Sequence, residues 1–224
     1  MNTQKTIQLI GVPTDIGAGA RGASRGPEAL RVAGIVEMLR AHQLEVIDAG
    51  NLIGPANPWL PPVGGYRHLQ EVRAWNQTLH DAYYEALQNN YLPINLGGDH
   101  CLGIGSISAV ARHCRETGKD LRVLWLDAHA DFNTNELTPT GNIHGMPVAV
   151  LSGIGPEILT QIGGHTPAIS PDTVRQIGIR SVDAGEKRLV HQAGLEVFDM
   201  RYIDEEGMRA TMEQALFGMT ENTH

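Results

Sequence analysis

The sequence has few cysteines and no long apolar segment. Only Cys101 and Cys114 occur in 224 residues, too few for the disulfide framework of a small secreted protein, so a reducing compartment is expected. No run of 18 apolar residues is present, which argues against a membrane-spanning helix. The apolar run within "MNTQKTIQLIGVP" (1–13) is too short for a signal peptide. We therefore expect a cytoplasmic protein with no membrane association.

Basic clusters are also lacking. Lysine and arginine total 17 against 25 acidic residues, a net charge of −8, which argues against nucleic acid or anionic membranes as partners and is compatible with a cationic small substrate. The hydrophobic fraction of 42% and the charged fraction of 19% are typical of a globular protein. Because no repeat, low-complexity tract or linker interrupts the chain, we expect residues 1–224 to form a single domain.

Apolar runs alternate with helix-like patterns along most of the chain. Strands are predicted at 6–13, 44–50, 92–98, 121–129, 174–183 and 195–200. Helices are predicted at 26–43, 66–89, 101–118 and 204–219, with a short one between the last two strands. This alternation predicts an α/β fold in which a mostly parallel sheet has helices on both faces.

Ionisable side chains, which are unfavourable to bury, follow two of these strands. The segment "VLWLDAHADFNT" (123–134) places Asp127, His129 and Asp131 at every second position, and "NLGGDH" (95–100) ends in Asp99 and His100. Side chains two apart share one face of an extended segment, so the first three converge if the strand persists that far. Parallel strands also deliver their carboxyl ends to one edge, where ligands bind in α/β proteins.

Carboxylates with imidazoles and no thiolate form a ligand set for a hard divalent cation such as manganese, with zinc less favoured. An unpaired ionised carboxylate is costly to bury, and a bound cation would offset that cost. The alternative is a surface turn rich in acidic residues.

Three linked motifs resemble those of the ureohydrolases, the family that includes arginases and agmatinases. They are "GGDHCLGIGSI" (97–107), "DAHADFNT" (127–134) and "GNIHGMPVAVL" (141–151), and the resemblance extends from "GVPTDIGAGARGASRGPEALR" (11–31) to "IGIRSVDAGE" (177–186). It is closest to the arginase branch. The resemblance implies a three-layer α/β/α domain with two Mn²⁺ ions per active site and a homotrimeric or homohexameric assembly.

The motifs also imply individual roles. His100, Asp127, His129 and Asp131 match metal ligands, and Asp127 matches a carboxylate that bridges both ions. His144 matches a histidine that shuttles protons. The positions implied to contact substrate are His129, Asn133, Thr140, Asn142, Asp183 and Glu186, with Asn133 and Thr140 matching positions that hold the α-carboxylate of arginine.

Plainer roles stay open for several of these residues. Asn133, Thr140 and Asn142 are types that stabilise turns. Asp183 and Glu186 have the spacing of a helix N-cap and its capping box. Cys101 follows a candidate ligand, but a buried structural thiol is the simpler interpretation.

The implied reaction is hydrolysis of the guanidinium group of L-arginine to L-ornithine and urea. The guanidinium carbon is resonance-stabilised, so neutral water attacks it too slowly. Two metal ions that share a water molecule lower the pKa of that water and supply hydroxide beside the substrate. A histidine with a pKa near neutrality then suits protonation of the leaving amine. The alternatives are another ureohydrolase, acting on agmatine, guanidinobutyrate or formiminoglutamate, and a non-catalytic binding protein or subunit.

One family motif is not in this sequence. Ureohydrolases carry a later Ser-x-Asp-x-Asp-x-x-Asp-Pro segment, whose first two aspartates complete both metal sites, so four of six implied ligands are present. A downstream glutamate that pairs with the guanidinium is absent as well. We therefore expect that the chain lacks the C-terminal strands and ligands of the family. Little or no activity is expected if residues 1–224 are the whole protein, and arginase activity is expected of a longer parent.

Overall fold

The computed structural model describes residues 5–224 and contains six strands at the predicted places. Each strand is slightly shorter than its predicted range, although β2 ends one residue beyond it, at Asn51. The strands are β1 (Ile7–Gly11), β2 (Val46–Asn51), β3 (Leu92–Leu96), β4 (Val123–Leu126), β5 (Val174–Ile179) and β6 (Glu196–Asp199).

Every pairing between these strands is parallel, as the strand–helix alternation predicts. The strands form two three-stranded sheets, ordered β2-β1-β3 and β4-β5-β6. In the first, Ile7 lies opposite both Val46 and Leu92. In the second, Val123 lies opposite Val174. The carboxyl ends of β3 and β4 therefore continue directly into the "GGDH" and "DAHAD" segments.

Eight α-helices are assigned within residues 5–224. They are α1 (Gly26–Val32), α2 (Ile35–Ala41), α3 (Leu69–Gln88), α4 (Gly103–Thr117), α5 (Pro147–Leu151), α6 (Glu157–Thr160), α7 (Ala184–Ala193) and α8 (Met200–Ala215). None is both long and apolar enough to cross a membrane.

The prediction of a single helix at 26–43 is wrong, because the structure has two helices there, α1 and α2. Gly34 lies between them with φ +84°, a left-handed conformation that glycine adopts without steric cost and that ends a helix. Helix α8 also begins before the predicted 204. Asp199 caps it, accepting a hydrogen bond from the Tyr202 N–H at 2.9 Å.

Both sheets are covered on both faces, which gives the three-layer α/β/α arrangement. Alternating residues of β1 face opposite layers: Ile7 and Leu9 pack near α2, whereas Ile10 packs with α3 and α4. In the second sheet, Val123 and Val174 pack toward α5 and α7, and Ile177 and Phe198 pack against α8. This burial of apolar faces is the main driving force that orders the domain.

The two sheets are separated by a cavity of about 640 Å³. It is lined by residues of β3 and β4, the edge strands that face each other. At one end of the cavity, His224 pairs with the residues that precede β4. The Arg122 N–H donates to the His224 carbonyl at 3.1 Å, and the His224 N–H donates to the Asp120 carbonyl at 2.8 Å. Beyond Arg122, residues of β4 line the cavity.

Candidate active site

Three predicted metal ligands converge at the carboxyl edge of the strands. The His100 Nδ1 atom lies 2.8 Å from Asp127 Oδ2 and 2.9 Å from Asp131 Oδ2. One ligand atom from each residue lies within 4.8 Å of the other two. His100 opens a 3₁₀ turn that is separated from the end of β3 by residues 97–99, whereas both aspartates lie in the loop that follows β4. The two motifs therefore form one cluster.

The aspartates converge through a turn, not through the persistent strand that the two-residue spacing suggested. Strand β4 ends at Leu126, and Asp131 has φ +48°, in the left-handed region that non-glycine residues seldom adopt. Left-handed backbone at a non-glycine residue is maintained only where its surroundings fix it. Here the Val148 N–H donates to the Asp131 carbonyl at 3.0 Å, which fixes the turn.

His129 lies on the other side of Asp127. Its Nδ1 atom is 3.3 Å from Asp127 Oδ1, and its backbone N–H donates to the same oxygen at 3.0 Å. The two oxygens of Asp127 thus face different histidines, His100 and His129. The His129 side chain is 60% exposed, so it stands at the mouth of the cluster, outside the tight group of three.

The electrostatics of the cluster suit a cation. Burial, the largest influence, lowers the pKa of His100, but hydrogen bonds and charge from Asp131 and Asp127 outweigh it and raise the pKa overall. Burial raises the pKa of Asp131 against the opposing effect of His100. One imidazole nitrogen therefore lies within hydrogen-bond distance of two carboxylates, so acidic groups outnumber basic ones in this group of three. The oxygen and nitrogen donors fit a hard divalent metal ion.

A pocket of about 360 Å³ opens beside this cluster. It brings together all ten candidate site residues, which come from four separate parts of the chain. They are His100, Asp127, His129, Asp131, Asn133, Thr140, Asn142, His144, Asp183 and Glu186. His144 lies in a 3₁₀ turn just before α5, and the last two belong to the start of α7.

Comparison with known proteins identifies the family of this chain. The profile described as the arginase family matches residues 5–224. An arginase from Bacillus caldovelox is 41% identical over 222 residues, covering 98% of this chain and 73% of that protein. The chain belongs to the arginase family. Its relatives are hydrolases, and it matches them over nearly its whole length.

Solved arginase structures share the fold. The native structure of the Bacillus caldovelox arginase superposes with a TM-score of 0.88 at 39% identity, covering 95% of this chain and 70% of that one. An Entamoeba histolytica arginase in complex with L-ornithine superposes with a TM-score of 0.84 at 33% identity, covering 95% of this chain and 72% of that one. The expected α/β/α fold of the ureohydrolases is thereby confirmed.

The polar residues of the pocket differ in how much of their side chain is free. Asn133 Nδ2 donates to Asp183 Oδ2 at 3.4 Å, while its Oδ1 is buried and has no hydrogen-bond partner among the described residues. Thr140 Oγ1 accepts from the Asn142 N–H at 3.2 Å. Asn142 Oδ1 accepts from Arg67 Nε at 2.9 Å. Of these three, Asn133 therefore presents the least satisfied group.

At the start of α7, this arginase-family chain forms the capping box that the spacing allowed. Asp183 is the N-cap of the helix. Glu186 is 3% exposed, and its two carboxylate oxygens accept from the Phe132 N–H at 2.8 Å and the Asp183 N–H at 3.4 Å. Burial raises the pKa of Glu186 in spite of these bonds. Its carboxylate thus ties the acidic loop to α7.

Three supporting residues were not identified from the sequence. The Trp125 ring stacks on the His100 ring, with centroids 4.2 Å apart and planes 17° apart. The buried Gln176 amide donates to the Ala130 carbonyl at 2.6 Å, and Arg67 holds Asn142. Trp125 precedes Asp127 by two residues, so strand periodicity could have placed it at the site.

Cys101 has the structural role that the sequence favoured. Its thiol is free and fully buried, and burial raises its pKa well above the ordinary value. A thiol that stays protonated is a poor nucleophile and a poor metal ligand.

Proposed function

We propose that this chain is an arginase, which hydrolyses the guanidinium group of L-arginine to L-ornithine and urea with the help of Mn²⁺. The observation that carries the proposal is the position of His100 between Asp127 and Asp131, at 2.8 and 2.9 Å, on the wall of a pocket lined by polar residues. A donor set of this kind beside a cavity is typical of a metal-assisted hydrolase.

The residues that would hold the metal are His100, Asp127, His129 and Asp131. Asp127 suits a bridging role, because its two oxygens face His100 and His129 separately. When bound, two divalent ions lower the pKa of a shared water toward neutrality and supply hydroxide at the guanidinium carbon. The Trp125 ring keeps the His100 imidazole in one orientation by stacking on it.

The far end of the pocket would receive the amino-acid end of the substrate. We assign Asn133 and Thr140 to the α-carboxylate and Asp183 to the α-amino group, with Asn142 and Glu186 supporting them through the contacts described above. The Asn133 Nδ2 group is the donor that an α-carboxylate needs, and the side chain is weakly held, because its bond to Asp183 is long at 3.4 Å and its Oδ1 has no partner among the described residues. An arginase relative was solved in complex with L-ornithine, which agrees with a site for this amino acid.

His144 would handle the proton. Attack of hydroxide on the guanidinium carbon produces a tetrahedral carbon, which releases ornithine once the leaving nitrogen is protonated. His144 lines the same pocket as the acidic cluster, and an imidazole exchanges protons readily near neutral pH. We also propose two Mn²⁺ ions per site, a trimeric or hexameric assembly and a cytoplasmic location, in line with the family resemblance.

The proposal is tested on the 224-residue chain by calorimetric titration with MnCl₂ and by urea release from L-arginine and from agmatine. We expect Mn²⁺ to bind, and any urea to come from arginine in preference to agmatine, which lacks the α-carboxylate. Because four of the six implied ligands are present, turnover is expected to be low. Absence of Mn²⁺ binding, or preferential turnover of agmatine, would contradict the proposal.

An Asn133→Ala variant separates substrate recognition from metal binding. We expect it to keep the Mn²⁺ affinity of the parent while KM for arginine rises. The matched control is Asn135→Ala, which removes an amide of the same loop whose Oδ1 accepts a hydrogen bond from the Tyr66 hydroxyl instead. An equal change of KM in both variants would contradict the assignment of Asn133.

A further inference from the structure

The structure assigns a positioning role to Asp99: its buried carboxylate fixes the His144 segment relative to the His100 turn. This inference rests on the proposed function, in which His100 holds metal and His144 carries the proton. Asp99 itself does not line the 360 Å³ pocket, so it acts through its neighbours.

Asp99 holds two different segments with one side chain. It is 7% exposed. Its Oδ1 accepts from the Cys101 N–H at 3.0 Å and so caps the 3₁₀ turn that begins with His100. Its Oδ2 accepts from the Gly17 N–H at 2.8 Å. The capping bond is local, whereas the bond to Gly17 spans 82 residues and joins the β1–α1 connection to the His100 turn.

Gly17 is also hydrogen-bonded to the backbone of His144. The Gly17 carbonyl accepts from the His144 N–H at 3.2 Å. A Cβ at position 17 would lie 2.7 Å from Asp99 Oδ1 and 2.9 Å from Cys101 Sγ, so the backbone approaches this closely only because glycine has no side chain. A continuous path of hydrogen bonds therefore runs from the His100 turn through Asp99 and Gly17 to His144.

Asp99 forms no ion pair in the described part of the chain, and the two oxygens of its carboxylate accept from the Gly17 and Cys101 N–H groups. Hydrogen bonds from backbone N–H groups to a carboxylate are stronger than those to a neutral acceptor. A neutral cap would serve the 3₁₀ turn equally well, so capping alone does not explain a buried charge that also reaches Gly17.

The experiment compares Asp99→Ser with Asp15→Ser. Serine is a good helix cap, so Asp99→Ser keeps a partner for the Cys101 N–H, but its shorter side chain cannot also reach Gly17. Asp15 is the matched control, because it is 6% exposed and lies in the same connection. Its carboxylate accepts hydrogen bonds from Gly22, Ser24 and Asn57, and within residues 5–224 it forms none with either histidine segment.

Amide hydrogen exchange of the Mn²⁺-treated proteins is the first measurement. We expect the Gly17 and His144 amides to exchange at least about tenfold faster in Asp99→Ser than in Asp15→Ser, because local opening governs exchange. Equal exchange at His144 in the two variants would overturn the inference. If Asp99→Ser does not fold, Asp99→Asn takes its place, since asparagine also caps a helix but presents an amide N–H₂ to one of the two backbone donors.

Urea release and Mn²⁺ titration are the second measurement. We expect kcat to fall at least about tenfold in Asp99→Ser, in line with the sensitivity of catalysis to small displacements. KM and the Mn²⁺ dissociation constant should stay within about threefold of the parent. A fall in Mn²⁺ affinity with kcat unchanged would overturn the role assigned to His144 positioning. A parent that binds no Mn²⁺ would refute the proposed function, and hydrogen exchange would still decide the role of Asp99.

Discussion

Replacing Asp127 by asparagine should remove most of the stabilisation that we expect Mn²⁺ to give at the proposed metal site. Ligand atoms of Asp127 and Asp131 lie within 4.8 Å of each other, so at an effective dielectric constant of about 20 two unit charges there repel by about 3.5 kcal/mol, which the His100 imidazole between them offsets in part. A cation between them removes this repulsion in the folded state only. At a Mn²⁺ concentration of about 100 times Kd, linkage gives about 2.7 kcal/mol of added stability, or a rise in Tm of roughly 5–11 °C for a domain of this size.

The Asp127→Asn substitution should reduce the stabilisation by Mn²⁺. If the loss of one ligand weakens binding by about 100-fold, the upper end of the range for residues around a metal, the same Mn²⁺ concentration gives only about 0.4 kcal/mol. The corresponding rise in Tm is about 1 °C. The assay is thermal unfolding with and without MnCl₂, and Asp204→Asn, an exposed carboxylate on α8, is the control. An Asp127→Asn protein that keeps the full Mn²⁺-induced rise would refute the reasoning.

Further predictions concern the scaffold. Arg31 lies 2.7 Å from Asp48 and its hydrogen bond lowers the pKa of that carboxylate, so Arg31→Met should cost about 0.5–1 kcal/mol at pH 7. That difference should vanish as the pH falls below about 4, and a constant difference at pH 2–7 would contradict it. Leu79→Ala, at a fully buried position of α3, should lower the free energy of unfolding, measured in urea, by about 2–5 kcal/mol. A loss below about 1 kcal/mol would contradict this, because the core would then have closed the space left by the leucine side chain. The Asp127 N–H donates to the Ile177 carbonyl of β5 at 3.1 Å, so in this parallel pair the Leu124 and Leu126 amides point away from β5. They should exchange faster than those of Val123 and Trp125, and equal protection would contradict this.

The sequence predicted the secondary structure well where periodicity is local. All six strands and the helix at 69–88 follow from apolar runs and helical spacing. The break at Gly34 was missed, because a glycine inside a helical pattern is tolerated and only its left-handed φ of +84° shows that the helix ends there. The division of the strands into two sheets was missed as well, since pairing between distant strands leaves no trace in local periodicity.

The candidate site was predicted as a set of residues but not as a geometry. Strand-end position and family motifs identified the members, and the structure places all ten around one pocket. The left-handed turn at Asp131 and the stacking of Trp125 on His100 depend on contacts between separate segments. Composition could not reveal them. The same holds for Asp99, whose partner Gly17 lies 82 residues away.

The acidic loop after β4 is held mainly by hydrogen bonds to its backbone, and Asp127 adds one bond of its own, because its Oδ1 accepts from the His129 N–H at 3.0 Å. Four hydrogen bonds from separate parts of the chain fix it: Gln176 to the Ala130 carbonyl, Val148 to the Asp131 carbonyl, the Phe132 N–H to Glu186 and the Asn133 N–H to the Gly145 carbonyl. Since the loop is ordered by these bonds, metal binding need not supply its ordering entropy. A loop fixed only by its own carboxylates would lose those bonds on binding a cation, so this largely backbone-held framework suits the metal site that we propose for the acidic turn.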